Sequence, residues 1–461
     1  MMHVKITEMM HQELKNHLHN GDGLEALGFA LCGRLKNKGE EFLLVHKTFL
    51  MPYDKCNRSK HFVSWKTIDV EHLLEEALAK GLGIIKFHSH FVNHSNFSDL
   101  DDKSDKDFFD SVYGWTNNQL PHASVIMYPD GAMKGRVIKP DLSFTEIDKI
   151  SIIGENVRTF TKNNQNIEIL KSFKRNSQAF GDKTVNTLKE MKIGVIGCSG
   201  TGSPLIQMLF RLGVGKLVLI DSDVIGHENL NRIVVSTSND ADNNKLKVEV
   251  LKEHIDHVNI GTEVVTYSCL IQESREALNE LASCDFIFGC MDSVEGRHYI
   301  NLISTDYLVP LIDIGIKLVA DGEGGIDSIL GNIHYVYPNS KTLMERGVYT
   351  PKQLSAESLK RLSEEEYNNR QAYFENADVE SPAVISVNTM CSSLAVNDML
   401  SRIHPYRYRD NSMYSHTTIN LTDWDLNSFK VDKTLDKSHF ENIGIGSLEP
   451  NLKLYVSDKV I

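Results

Sequence analysis

A short apolar run, Ile193-Gly-Val-Ile-Gly197, gives way to the small residues Cys198-Ser-Gly200-Thr-Gly202-Ser203. Pro204-Leu-Ile-Gln-Met-Leu-Phe-Arg-Leu212 then carries apolar residues at helical spacing. The pattern predicts a strand, a tight turn and a helix. A second apolar run, Lys216-Leu-Val-Leu-Ile220, closes on Asp221, and a third, Phe286-Ile-Phe288, precedes Cys290-Met-Asp292. Buried strands alternating with helical stretches predict a Rossmann-like α/β domain with a mostly parallel sheet.

The first third reads as α+β. A helix is expected around Glu8 to His19, and strands at Ala26–Cys32 and Phe42–Phe49. Asp69 to Lys80 places Val70, Leu73, Leu74 and Leu78 on one side of a helix, and Gly83–Phe87 is a buried strand that runs into His88-Ser-His90. Asp101 stands at the start of a further helix through Asp107, Phe108 and Val112, and the Pro129-Asp-Gly131 turn joins two strands as a hairpin. Ser151 to Phe180 is polar and helix-tending, so it reads as a linker. Val387, Met390, Leu394 and Ile403 form an amphipathic run; Thr417–Thr422 and Leu452–Val456 are strand-like pieces that finish the sheet or form a docking surface. The expected organisation is an α+β domain over 1–145, a lead-in over 146–180, the α/β domain over 181–405 and an extension over 406–461 packed on it.

A chain of 461 residues has room for two or three cores, and its 41% hydrophobic and 24% charged content is that of an ordinary globular protein. The net charge of −13 argues against nucleic acid or an anionic membrane as partner. No run approaches a membrane span, and Met1-Met-His-Val-Lys-Ile-Thr-Glu8 has no signal-peptide pattern, so the cytoplasm is expected. Seven cysteines without C-x-x-C pairing suggest reduced thiols.

Two sets of residues carry chemistry. Gly197, Gly200 and Gly202 let backbone approach a nucleotide while helix amides face its phosphates, and Asp221 follows Gly197 by 24 residues, near the spacing of a ribose-binding acid. Ser199 stands where G-x-G-x-x-G requires glycine, so this pattern alone leaves ATP and NAD open. His88 and His90, two apart on an extended segment, point to one side. With Asp101 they can hold a tetrahedral Zn²⁺ and leave its fourth position for water.

Asp221-Ser-Asp223, Asn229-Leu-Asn231-Arg232, Lys245-Leu-Lys247-Val-Glu249 and Cys290-Met-Asp292-Ser293 occur in this order. Together they resemble the signatures of the ubiquitin-activating superfamily with its ThiF, MoeB and HesA adenylyltransferases, over roughly residues 170 to 405. The resemblance implies ATP with Mg²⁺: Asp221 on the ribose, Asn229, Arg232 and Lys247 on the phosphates, Asp292 on the magnesium. Lys245 is the alternative to Lys247, because the family's proline between the lysines is Leu246. Arg175, in Phe173-Lys-Arg175, would reach the ATP of a partner subunit, which implies a homodimer. The family's C-x-x-C pairs are missing, and 335–385 holds no cysteine; the nearest, Cys391, reads as a buried thiol.

H-x-H-x7-S-x-x-D, formed by His88, His90, Ser98 and Asp101, is similar to the JAMM motif of JAB/MPN metalloproteases, with Phe91 in place of the usual proline. By that resemblance His88, His90 and Asp101 bind zinc, Glu25 is the general base and Ser98 donates to the developing oxyanion. Asp99 and Asp102 are alternative ligands, and His94 faces solvent. Both resemblances imply a ubiquitin-like protein with a C-terminal glycine tail as partner, and a conjugating enzyme beside it. Such fusions resemble those of bacterial ubiquitin-like operons, several of which serve antiphage defence. A sulfur-carrier system, a non-catalytic scaffold for such tails and a dehydrogenase are the competing readings.

Overall fold

The computed structural model describes residues 1–162, 169–321, 323–370, 383–432 and 441–450. Residues 1–162, 305–308 and 441–449 form one unit, and the other described residues form a second.

The first unit is built on a nine-stranded mixed sheet of β1 (Met2–Thr7), β2 (Leu27–Asn37), β3 (Glu40–Leu50), β6 (Gly83–Ser89), β7 (His122–Met127), β8 (Met133–Ile138), β9 (Phe144–Glu146), β10 (Lys149–Ile153) and β11 (Val157–Thr161). Its spatial order is β11-β10-β1-β3-β2-β6-β7-β8-β9, and β4 (Asn57–Arg58) and β5 (Val63–Ser64) pair apart from it. Residues alternate between faces along β2. Phe29 and Leu31 join a core with Leu73 and Leu74 of α2 (Glu71–Lys80) and Phe108, Phe109 and Val112 of α3 (Asp99–Thr116). Gly28 points the other way, where a Cβ would lie 3.0 Å from Leu14 Cδ2 of α1 (Glu8–Leu18). Helices therefore cover both faces, and β6 between them is buried along its whole length.

The 146–180 lead-in does not begin as a helix. Ile150, Ile152 and Ile153 are buried because β10 pairs in parallel with β1 and antiparallel with β11, and among the described residues of this stretch the first α-helix is α4 (Lys174–Lys189). A strand that joins residues about 146 positions apart leaves only five residues of local pattern to read.

The second unit carries an eight-stranded sheet of β12 (Lys192–Ile196), β13 (Lys216–Ile220), β14 (Glu263–Tyr267), β15 (Phe286–Gly289), β16 (Leu311–Ala320), β17 (Ile326–Val336), β18 (His416–Asn420) and β19 (Asp425–Phe429). In the order β14-β13-β12-β15-β16-β17-β18-β19 the pairings are parallel up to β16 and antiparallel beyond it, so the sheet is mixed rather than mostly parallel. Thr417–Asn420 thus finish this sheet, whereas Leu452–Val456 lie outside the described residues. The helices are α5 (Gly202–Leu212), α6 (Ser238–Asp242), α7 (Lys247–Val258), α8 (Arg275–Ala282), α9 (Val294–Asp306), α10 (Pro351–Leu362), α11 (Glu364–Arg370) and α12 (Ile385–Ile403). Among the described residues no helix is long and apolar enough to cross a membrane.

A lysine inside β6 needs an opposite charge. Lys86, 2% exposed, pairs with the fully buried Asp105 of α3, and Asp105 Oδ2 is also 2.7 Å from Arg136 Nη2 of β8. The Arg136 guanidinium pairs with Asp102 too and lies 3.8 Å from the centre of the Phe144 ring. These contacts fix α3 against the sheet. Asp105→Ala leaves two buried cations without their carboxylate, so it should cost about 3–5 kcal/mol in urea unfolding; a loss below about 1 kcal/mol would remove this network from the account of α3.

Candidate functional site

Where β6 ends, His88 and His90 meet the first turn of α3. His88 Nε2 is 3.2 Å from His90 Nε2 and 3.1 Å from Asp101 Oδ1, and His90 Nε2 is 3.4 Å from Asp101 Oδ2. Four ligands on Zn²⁺ at about 2.0–2.1 Å stand about 3.3 Å apart, so the two imidazole nitrogens stand near a tetrahedral separation with one Asp101 oxygen close to each, and three ligands of this kind leave one position open. The His90 ring is held through Nδ1, 2.8 Å from Ser95 Oγ. Burial would raise the Asp101 carboxyl, but bonds from His88, His90 and Ser98 hold it well below the usual carboxylate range. Burial lowers the His88 imidazole, which keeps it neutral and able to ligate.

The expected alternatives separate cleanly. Asp102 is taken by Arg136, Asp99 is exposed, and His94 is exposed with φ 62. Ser98 is the N-cap of α3: its amide and hydroxyl donate to Asp101 Oδ2 at 2.7 and 2.8 Å, and its oxygen accepts from the Asp101 amide. The hydroxyl proton that an oxyanion would need is thus spent on Asp101 here. Glu25 lies two residues before β2, whose Leu27 is opposite His88, so continuing the antiparallel register carries Glu25 to His90. Burial pushes the Glu25 carboxyl up to about 7, with nearby Asp101 adding to the rise and His90 and Lys86 opposing it. It makes no side-chain hydrogen bond among the described residues.

In the second unit a cavity of about 1270 Å³ opens at the carboxyl ends of β12, β13 and β15. Gly197 has φ 89, and a Cβ there would stand 2.6 Å from Cys290 O; a Cβ at Gly202 would stand 1.8 Å from Gly197 O. The turn is therefore restricted to glycine at these two positions. Asp221 braces it by accepting from the Cys198 amide at 2.6 Å and the Asp223 amide at 2.9 Å, and burial raises its carboxyl. Each Asp221 oxygen keeps one lone pair for a further donor. Lys247 Nζ is 2.7 Å from Asp223 Oδ2 and lines the cavity, whereas Lys245 pairs with Asp240 and Glu253 outside it. Gly200, Asn229, Arg232 and Asp292 also line it. Asn229 is half spent: its side-chain oxygen accepts from the Gly226 amide at 3.0 Å. The Asp292 carboxylate has no hydrogen bond or ion pair among the described residues, and an unpaired oxygen donor suits a hard cation such as Mg²⁺. Arg175 is exposed on α4 and is not among the lining residues of its own chain.

Sequence reasoning missed several contributors. Asn388 of α12 comes close to the turn, where a Cβ on Gly200 would meet its Nδ2 at 2.3 Å. Arg297 lines the cavity and is held 3.0 Å from the buried Asp313, and the His334 and His416 rings stack at 4.1 Å. Cys391 is fully buried, and burial pushes its thiol up to about 11.

The ThiF family model matches residues 173–438, more than half of the chain. The chain belongs to the ThiF family. The ThiF match encloses every lining residue of the nucleotide-type cavity, and it begins after the His88 cluster. The chain is 28% identical over 136 residues to the adenylyltransferase and sulfurtransferase UBA4 of Meyerozyma guilliermondii, covering 30% of this chain and 31% of that protein. It is 25% identical over 170 residues to the ubiquitin-like modifier-activating enzyme 5 of Culex quinquefasciatus, 34% of this chain and 40% of that one. It thus spans between about a third and two fifths of the length of the curated relatives it matches. Among solved structures, E. coli MccB with ATP is similar with a TM-score of 0.42 and 19% identity, covering 58% of this chain and 73% of that chain.

Metal analysis of purified protein tests the first cluster. Asp101→Ala and the His88→Ala, His90→Ala double variant should lose bound zinc, while Asp102→Ala should retain about one ion per chain. Equal retention in Asp101→Ala and Asp102→Ala would dissolve the assigned ligand set.

Proposed function

We propose that the ThiF-family unit adenylates the C-terminal carboxylate of a ubiquitin-like protein and that the first unit is a zinc peptidase cleaving after the terminal glycine of such a protein. The observation that supports the first activity best is the convergence of the glycine turn, Lys247, Arg232 and an unpaired Asp292 on one cavity in a ThiF-family chain. ATP would lie with its phosphates on the turn and the first amides of α5, neutralised by Lys247 and Arg232. Its α-phosphate is attacked by the substrate carboxylate, forming an acyl-phosphate bond as pyrophosphate leaves. Mg²⁺ on Asp292 would offset charge on the phosphates. Lys247 is held in place by Asp223, so little reorganisation accompanies the step.

For the first unit the support is the close grouping of His88, His90 and Asp101 with Glu25 beside them. Zn²⁺ there would polarise the scissile carbonyl and acidify a water. Glu25, raised by burial, is suited to accept that water's proton and return it to the leaving amine. A partner with an extended glycine tail fits both reactions, and a homodimer would give Arg175 its role.

A second reading is favoured by the names of the UBA4 relatives, which are sulfurtransferases as well as adenylyltransferases: the substrate is then a sulfur carrier and the adenylate is consumed by a sulfur donor. Thiocarboxylate formation on the tail, read by mass spectrometry, would select it.

ATP–pyrophosphate exchange tests the adenylation. Lys247→Ala should lower it roughly a hundredfold, as expected for one preorganised charge contact, and Lys245→Ala should leave it within about twofold. An equal effect of both would remove the assignment of Lys247. Glu25→Ala should keep its zinc and lose cleavage of a glycine-tail fusion by about a hundredfold or more, with exchange unchanged. Undiminished cleavage would place the base elsewhere.

A further inference from the structure

Asp292 stands two residues before helix α9, and a residue in that place is only as well aimed as the end of the helix it precedes. The first amides of a helix have no partner within it. In α9 they are taken from outside: Glu357 Oε2 accepts from the Val294 amide at 2.9 Å, and Oε1 accepts from the Glu295 amide at 3.2 Å and from the Ser293 hydroxyl at 2.6 Å. Ser293 Oγ in turn accepts from the Gly296 amide at 3.0 Å. One carboxylate from a residue 64 positions later therefore closes the N-terminus of α9.

The contact is reinforced one turn along α10. Arg361, four residues after Glu357, donates from Nε and Nη2 to the two oxygens of Glu295, each at 2.8 Å. Glu295 is fully buried and also accepts from Gln272 Nε2 at 3.3 Å. Glu357 and Arg361 lie on one face of α10 and grip the residues that follow Asp292, while Asp292 itself lines the cavity. Among the described residues the one hydrogen bond to Asp292 is at its backbone, whose carbonyl accepts from Arg297 Nη1 at 3.3 Å.

We propose that Glu357 is a positioning residue for the cation site: by capping α9 it fixes the backbone on which Asp292 presents its carboxylate to the metal of the bound nucleotide. This rests on the adenylation reading and adds to it a residue on α10 that acts through the helix end without touching the nucleotide. Glu357 does more than satisfy two amides, because the carboxylate on the backbone it fixes makes no hydrogen bond or ion pair among the described residues, and the one side-chain contact to Asp292 there is Arg297 on its carbonyl. Groups that orient a metal ligand in this way are typically worth about ten- to a hundredfold in metal affinity.

The test is Mn²⁺ binding to the full chain in the presence of ATP, with free Mn²⁺ read by electron paramagnetic resonance, beside ATP binding in chelator and urea unfolding. Asp292→Ala should abolish the nucleotide-dependent Mn²⁺ site. Glu357→Ala should weaken it about tenfold, and Glu357→Gln, which keeps one acceptor, should lie between Glu357→Ala and the parent. Metal-free ATP binding should be unchanged in all three. A cap with a purely structural role would lower the unfolding midpoint and leave the Mn²⁺ affinity as it was, which overturns the proposal. So does retention of the site in Asp292→Ala. Should Glu357→Ala not fold, Ser293→Ala removes one of the same contacts and should weaken Mn²⁺ in the same direction; no change there also overturns it. A parent chain that binds no Mn²⁺ with ATP brings down the adenylation reading and this inference together, whereas an intact parent site with an unaffected Glu357→Ala removes the inference alone.

Discussion

A strand buried on both faces can carry almost no charge along its length, because each polar group there needs a partner in a dry environment. Both candidate sites follow from this restriction. β6, β12 and β15 are buried throughout, and their chemistry begins where they run out: His88 and His90 at the end of β6, Gly197 after β12, Cys290 to Asp292 after β15. Asp221 does the same for β13. The cost shows at Lys192, which opens β12 and pairs with the fully buried Glu280, and more fully at Lys86. A single cation in the middle of β6 requires a fully buried carboxylate, a second cation and the fixed placement of α3. That same placement brings Asp101, one turn before Asp105, to the two histidines.

Much of the two sites was legible because their information is local. The glycine turn follows from small residues between an apolar run and a helical one, and the histidine pair follows from a period of two. The choice of Asp101 as ligand, with Asp102 as an alternative, has a local basis. Asp101, Asp105, Phe108 and Val112 recur at helical spacing and share the face that packs inward, whereas Asp102 falls on the next row and meets Arg136. The reading of Ser151 to Phe180 as a polar, helix-tending linker missed the end of β10, which offers only five residues and pairs with β1 across 146 positions. Asn388 and Glu357 were beyond reach for the same reason: nothing near them in the chain announces a contact with residues about 190 and 64 positions away.

Several side chains serve the architecture before they serve any reaction. Asp221 holds the glycine turn to β13, Ser98 caps α3 through Asp101, and Asn229 closes a turn on the Gly226 amide. These bonds limit what each group has left to offer a ligand, and they also remove its freedom to move. A carboxylate already ordered by two amides loses little entropy when a ligand arrives, so the bracing that uses up some acceptor capacity also makes the remaining capacity more effective.

The cysteines mark the limit of what the cavity can do by itself. A thiol that receives an acyl group must reach the substrate as thiolate, which calls for exposure and nearby positive charge. Cys391 has neither: it is fully buried on α12 against β17, where a Cβ on Gly331 would lie 2.8 Å from its sulfur, and burial pushes its thiol up to about 11. Cys290 lines the cavity, but burial and the neighbouring Asp313 raise its thiol further still, and Cys269 is raised by burial as well. Arg297 opposes this rise in Cys290 but is outweighed by burial and by Asp313, to which it is itself paired. Under the proposed adenylation, an acyl group activated on the glycine turn would meet no poised thiol among the described cavity residues. The nucleophile that accepts it would then have to be delivered, and the electrostatics of the cavity favour capture from outside over a relay within.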